Sequence, residues 1–364
     1  MPVYRPTASS IWNSFLSSGK RHLFLTGSRG SGKTTLLSAL FEQTLPGLTT
    51  WAEPGKAVWL KENMTENMVQ VGVFDATRIG QENRMAVCRD GFLTLGIDAL
   101  HRAMDSESQW AAIDEIGYLE TECEEYCNAV RKLLEKKQVA AVIRKQELPF
   151  LQELCGRDDA FVVDLDQPFG KGGCIIMASG LGKRFGGNKL MADFLGKPMI
   201  EYVLDATEGL FAKRVVVTRH VDVVRLCEQR NVDVIFHDLP HRSDTVRLGM
   251  EALGDVDSCM FCPADQPMLR RETVEGLLHC ALDQKDRIWR TCSDGLPGSP
   301  VIFPKWAFEE LKRLPEGKGG SWVLKEHPDQ VAMMEVSDVH ELMDVDTQDA
   351  LEFLKDYSVK VKHD

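Results

Sequence analysis

Short apolar runs recur along the chain, and between them apolar residues return every three or four positions. "HLFLTG" (22–27) leads through a glycine-rich loop into "KTTLLSALFEQTL", whose apolar residues fall at helical spacing. Then come "AAIDEIG", the helical "CEEYCNAVRKLLEKK", "VAAVIR" and "FVVDLD". Strand-like runs alternating with helical ones predict a parallel sheet flanked by helices. "DQPFGKGG" (166–173) sets Pro and Gly between two strand signals and reads as a linker. After it the pattern restarts with "CIIMASG", "RVVVT", "VDVIF" and "SCMFCPAD", separated by helical stretches such as "PMIEYVLDATEGL" and "VDVVRLCEQRN". The expectation is an α/β chain of two domains, residues 1–168 and 174–364, joined by 169–173. The stretch from Thr49 to Asp75 has no pattern that assigns it.

A length of 364 residues agrees with two domains, and 43% hydrophobic content suits packed globular cores. The net charge of −12 argues against nucleic acid or an anionic membrane as partner, since both need a basic surface. No window approaches the roughly 20 apolar residues that span a bilayer. "MPVYRPTASSIWNSF" has no charged segment followed by an apolar core, so no signal peptide and a cytoplasmic location are expected. The ten cysteines then read as reduced thiols. Cys259 and Cys262 lie on a strand that sends them to opposite faces, and no second pair gives zinc spacing. Cys123 and Cys127 share a helix face and read as packing.

Candidate chemistry begins at Gly27-Ser28-Arg29-Gly30-Ser31-Gly32-Lys33-Thr34, which meets every fixed position of G-x-x-x-x-G-K-[ST] between a strand and a helix. Gly27, Gly30 and Gly32 let backbone N–H groups wrap a phosphate chain, and Thr35 continues the helix N-terminus. Lys33 is expected to reach the terminal phosphates, and the Thr34 hydroxyl to bind Mg²⁺. A P-loop needs a carboxylate at the end of another strand. Asp114 supplies it, and Glu115 is placed to orient or deprotonate water; the pair also suits capping of the following helix. These two motifs resemble the small P-loop nucleoside triphosphatases first described from thermophiles, whose strand carries Asp-Glu-Ile-Gly. The resemblance implies hydrolysis of ATP or GTP. Where relatives continue with Lys-Met-Glu, this chain has Tyr118-Leu119-Glu120.

The second glycine loop, "MASGLGKRFGGNKL", lacks G-K-[ST]. Bare glycines at 180 and 182, with Ala178, Ser179 and Leu181, can lie along a triphosphate and base. Arg184 and Lys189 can neutralise charge as pyrophosphate leaves. Asp265 ends an apolar strand, on the edge of an α/β sheet where ligands collect, and could bind Mg²⁺. Asp344 and Asp346 precede a helix; Asp346 could be a second metal ligand, and both suit helix capping. His220, His237 and His241 read as solvated loop residues, and Trp51 and Trp59 as packing.

"MASGLGKRFGGNKL", "GKPMIEYVL", "HRSDTVRLGM", "PADQPML", "GSPVIF", "GKGGSWVL" and "DVDTQDAL" follow one another from 173 to 354. In that order they resemble the molybdenum cofactor nucleotidyltransferases, a branch of the G-x-G-x-R superfamily with a Rossmann-like, GT-A-like sheet. The resemblance implies transfer of a nucleotide to the phosphate of molybdopterin with release of pyrophosphate. "DQP" leans towards CTP, with GTP the alternative. Ser179 and Ser299 depart from the family, where Ala or Gly and His are usual. A molybdenum enzyme could receive the product. Two rivals are a cytidylyltransferase acting on methylerythritol phosphate or another sugar phosphate, and an insertion factor that binds the cofactor without turnover.

Overall fold

The computed structural model describes residues 6–78 and 85–361. Two compact units, Thr7–Pro168 and the chain from Phe169 onward, are taken in turn.

The first unit is built on β1 (His22–Thr26), β2 (Gly47–Glu53), β3 (Ala57–Glu62), β4 (Met68–Phe74), β5 (Met85–Val87), β6 (Trp110–Ile116), β7 (Gln138–Ile143) and β8 (Ala160–Asp164). They form one sheet in the order β5-β4-β3-β2-β6-β7-β1-β8. From β2 to β8 across the sheet the pairs are parallel. The run of apolar residues in β1 follows from burial on both faces: Phe24 points into one core, Leu23 and Leu25 into the other. The unassigned stretch 49–75 supplies most of β2, with β3 and β4, in an antiparallel extension that modifies the all-parallel expectation. The pairing shifts register between Val58 and Trp59, and Trp51, Met68, Val73 and Phe74 are apolar yet exposed. Both features blur the alternation that betrays a strand.

The helix after the P-loop is Lys33–Leu40, shorter than the sequence pattern suggests. Phe41 turns extended and packs its ring against Trp12 and Trp110, with centroids 5.6 and 5.2 Å away. Aromatic packing therefore overrides helical periodicity there.

The second unit contains β9 (Gly172–Ala178), a small hairpin of β10 (Asp193–Phe194) and β11 (Lys197–Pro198), and then β12 (Lys213–Thr218), β13 (Asp233–Phe236), β14 (Ser258–Pro263), β15 (Ile288–Ser293), β16 (Leu296–Pro304) and β17 (Val331–Glu335). The main sheet runs β13-β12-β9-β14-β16-β15-β17. Its β13, β12, β9 and β14 are parallel, while β16 is antiparallel to both of its neighbours. Cys174, Ile176 and Cys262 enter one core and Ile175 and Cys259 the other, so the two cysteines of the Cys-x-x-Cys pair lie on opposite faces. Among the described residues no helix is long and apolar enough to cross a membrane.

Between the units the turn is shorter than the sequence indicates. Gly172 and Gly173 are buried in β9, paired with Ser258 and Cys259 of β14. Phe169 is buried too, which leaves Gly170 and Lys171 exposed. Each unit has its own apolar cores on both faces of its own sheet. Limited trypsinolysis is therefore expected to cut first at Lys171 and leave two stable fragments. Residues 1–168 and 169–364, expressed separately, should each melt cooperatively. Progressive degradation with no stable fragment would contradict this.

Candidate active sites

In the first unit the loop 27–34 joins β1 to the helix Lys33–Leu40. Lys33 is buried, and its Nζ donates to the carbonyls of Gly27 and Ser28, both at 2.8 Å. The loop thus wraps around its own ammonium. Thr34 Oγ1 donates to Asp114 Oδ1 at 3.1 Å, which brings the two expected metal-side oxygens together. Burial, with the charge of Glu115 nearby, pushes Asp114 up to about 6, against the opposing effects of Thr34 and Lys33. Thr35 is exposed beside Thr34 on the first turn of that helix. Glu115 does not cap a helix: Arg144 Nε donates to its Oε1 at 2.5 Å, and its backbone N–H donates to Thr50 Oγ1 at 3.0 Å. Glu115 and Arg144 line a cleft of about 690 Å³ together with Arg29, Trp51 and Tyr118. Glu120 is buried and accepts from Gly117 N–H at 2.8 Å, a structural role that burial accompanies by raising its carboxyl to about 7.

Asp166, the first residue of the Pro- and Gly-containing stretch 166–173, has a role that the linker pattern hides. Its carboxylate accepts from Ser28 N–H at 2.9 Å and Ser28 Oγ at 2.7 Å, holding the loop from below. Those bonds, with Lys145 at 3.2 Å, lower it to about 2. The sequence shows only an acidic residue just past the β8 run; that β8 lies beside β1 comes from the sheet.

In the second unit the loop follows β9. Gly182 has φ +58, and a Cβ there would lie 2.3 Å from Gly187 O, so the loop folds back on itself only through glycine. This return delivers Lys189 beneath the end of β14. Lys189 Nζ donates to Asp265 Oδ2 at 2.5 Å and to Asp346 Oδ1 at 2.7 Å. Arg184 reaches the other oxygen of Asp346. The segment carrying Asp344 and Asp346 is tied to the strand end by Val345 N–H donating to Asp265 O at 2.9 Å. Four of the expected residues, from distant parts of the chain, therefore meet at one point.

Neither Asp344 nor Asp346 caps the next helix. Thr347 does so, its hydroxyl accepting from Ala350 N–H at 3.2 Å. Asp344 instead turns into the site, where burial and the charges of Asp265 and Asp346 push it up to about 6. Lys189 and Arg184 hold Asp346 below the usual carboxylate range. Burial alone would lower the Lys189 ammonium, but Asp265 and Asp346 outweigh it and raise it.

A cleft of about 520 Å³ opens beside this cluster. Ala178, Ser179, Gly180, Leu181, Lys189, Asp265, Asp344 and Asp346 line it. Gly182 shapes the turn behind the lining, and Arg184 lies on the exposed rim. Ser179 Oγ donates to Val217 O at 3.0 Å and lies 2.9 Å from His237 Nε2, so its hydroxyl is occupied in fixing the loop. His237 is buried rather than solvated, and His220 Nε2 lies 2.8 Å from Gly180 O. Gln266 is buried outside the lining, its Nε2 donating to Leu342 O at 3.1 Å.

The donor sets at the two loops suit Mg²⁺. Asp265 and Asp346 each aim an oxygen at a single point, the Lys189 ammonium, and Thr34 and Asp114 are already hydrogen-bonded. Mg²⁺ is commonly held by one or two carboxylates, with phosphates and waters completing the shell.

The family model described as "MobA-like NTP transferase domain" matches residues 174–331. The model described as "NTPase" matches 55–168, a span that begins after the P-loop. Over 153 residues the chain is 28% identical to "Nucleoside-triphosphatase THEP1" of Thermotoga sp. (strain RQ2), covering 40% of this chain and 86% of that protein. It is 30% identical over 120 residues to "Probable molybdenum cofactor guanylyltransferase" of Bacillus cereus (strain G9842), covering 31% of this chain and 58% of that protein. It is 29% identical over 109 residues to "Bifunctional protein GlmU" of Thermodesulfovibrio yellowstonii, covering 29% of this chain and 24% of that protein. This chain therefore carries a MobA-like NTP transferase domain, its glycine loop included, and an NTPase domain whose P-loop precedes the matched span.

Proposed function

We propose that the second unit transfers a cytidylyl group from CTP to the phosphate of molybdopterin, and that the first unit hydrolyses ATP or GTP. The observation that carries the transferase reading is the convergence of Lys189, Arg184, Asp265 and Asp346 beside the glycine loop. The sequence "DQP" supports CTP. GTP remains the competing nucleotide, because Gln266 is buried behind the cleft rather than lining it.

In this reading an oxygen of the acceptor phosphate attacks the α-phosphorus of the nucleotide in line. The new O–P bond forms as the bond to pyrophosphate breaks. No general base is needed, since the attacking oxygen is already anionic. Arg184 and Lys189 exchange their carboxylate partners for phosphate oxygens and balance the charge of the departing pyrophosphate. The Asp265 and Asp346 oxygens released by that exchange would hold Mg²⁺. Bound there, the ion would neutralise charge at the α-phosphate. In the first unit Lys33 would bind the terminal phosphates, Thr34 and Asp114 would hold Mg²⁺, and Glu115, fixed by Arg144, would orient the attacking water. A molybdenum enzyme is the proposed recipient of the product.

Incubation with molybdopterin, Mg²⁺ and each NTP in turn, followed by mass analysis, should give a cytidylyl adduct and pyrophosphate. A guanylyl adduct would revise the nucleotide. Phosphate release with no adduct would overturn the transfer.

Asp265→Asn is expected to lower transferase turnover by about 10²-fold or more, corresponding to about 3 kcal/mol, with smaller loss of CTP affinity. The NTPase rate should not change in that variant. Near-full pyrophosphate release would remove Asp265 from the site.

Lys33→Ala should abolish NTP hydrolysis, and Glu115→Gln should slow it while nucleotide still binds. Asp114 must be ionised to hold the metal, and its carboxyl is raised to about 6. Hydrolytic kcat/KM is therefore expected to fall as pH drops through about 6, approaching tenfold per unit below it. A flat profile between pH 7 and 5 would contradict the role of Asp114.

A further inference from the structure

The transferase cleft extends past the Lys189 cluster. Its floor crosses three strands: Phe261 on β14 pairs with Val301 on β16, and Val301 pairs with Arg290 on β15. Adjacent strands lie about 4.8 Å apart, so this row runs about 10 Å from Phe261 to Arg290. Phe303 lies on the same face as Val301, and its ring packs on Phe261 with centroids 5.0 Å apart. Gly320 closes over both rings; a Cβ there would sit 3.0 Å from Phe303 and 3.1 Å from Phe261. The result is a buried apolar wall along the cleft, with a cation at its far end.

Arg290 is half-buried, and its Nε and one Nη donate to Gly298 O at 3.1 and 2.7 Å. Among the described residues no carboxylate pairs with it. Burial lowers its pKa, and the nearby Cys292 thiol, pushed up to about 12, stays neutral. A guanidinium removed from water without a counter-charge is costly, and its remaining N–H groups form a rigid receptor for an oxyanion. The position also matters. The nucleotide loop follows β9 and is tied to β12 through Ser179 and Val217. In the order β12-β9-β14-β16-β15, Arg290 lies on the other side of the β14 end that carries Asp265. An in-line reaction needs its acceptor on that side.

We propose that Arg290 anchors the acceptor, binding an anionic group separate from the attacking phosphate while the acceptor's flat body lies against Phe261 and Val301. This rests on the transferase reading. It disfavours a short polyol phosphate, which has one charged end and no apolar body.

The probe is pterin-6-carboxylate, titrated calorimetrically into the full chain, with 6-methylpterin as the uncharged control. Wild type should bind the carboxylate, Arg290→Gln should bind it at least tenfold more weakly, and Arg290→Lys should fall between them. All three should bind 6-methylpterin alike and keep the same CTP affinity and melting temperature. In turnover with molybdopterin, Arg290→Gln should raise the acceptor KM at least tenfold and leave kcat at saturation nearly unchanged. If Arg290→Gln unfolds, Arg290→Lys carries the test through the same KM and kcat split. No binding of the carboxylate by wild type, or equal binding by folded Arg290→Gln, overturns the proposal. Arg290-dependent binding in a wild type that never releases pyrophosphate supports the anchor and overturns the transferase reading alone.

Discussion

The transferase site depends on one buried ammonium. Lys189 joins Asp265 at the end of β14 to Asp346 on a segment 81 residues further along the chain. Three carboxylates, those of Asp265, Asp344 and Asp346, could not crowd the end of one sheet without a cation among them. Removing one partner from a buried ion pair typically costs about 3–5 kcal/mol, because the remaining charge stays stranded. The Arg184–Asp346 contact is more exposed and belongs to the range of about 0–1 kcal/mol. Lys189 is therefore the structural centre, and the Arg184 contact adds little to it.

The same constraint explains why the chain has two differently built phosphate loops. The P-loop encloses its lysine with its own carbonyls, a compact arrangement that in the proposed reading serves a terminal phosphate. The second loop sends its lysine outward to carboxylates on other elements. Such a cation can be exchanged between aspartate and phosphate as a substrate enters and leaves. One geometry suits cleavage of a terminal phosphate, and the other suits substitution at an inner one.

Much of this was legible in the sequence because function there is local. The P-loop, the strand ending in Asp114-Glu115 and the strand ending in Asp265 each sit within a few residues of an apolar run. The parallel strands were readable because burial on both faces makes them continuously apolar, as in β1 and β9. The extension formed by β2, β3 and β4 was not, since exposed apolar residues such as Trp51, Met68 and Val73 and a register shift dilute the period. Contacts between distant segments were also hidden. Nothing near Asp344 tells that it turns into a site instead of capping a helix. The roles of Asp166 beneath the P-loop and Arg144 beside Glu115 appear only when β8 and β7 are placed next to their neighbours. Ser179 looked like a departure in nucleotide reading, yet its hydroxyl is engaged with Val217 and His237.

The most direct test of the Lys189-centred site as a transferase is to follow the α-phosphate itself. The full chain is given CTP labelled at the α-phosphorus, Mg²⁺ and molybdopterin, and the products of a single turnover are separated. The account predicts that the label appears on the acceptor with one equivalent of unlabelled pyrophosphate, and that Lys189→Met loses this transfer while ATP or GTP hydrolysis by the first unit continues. Label recovered only in CTP or CDP, with no pyrophosphate formed, would contradict it.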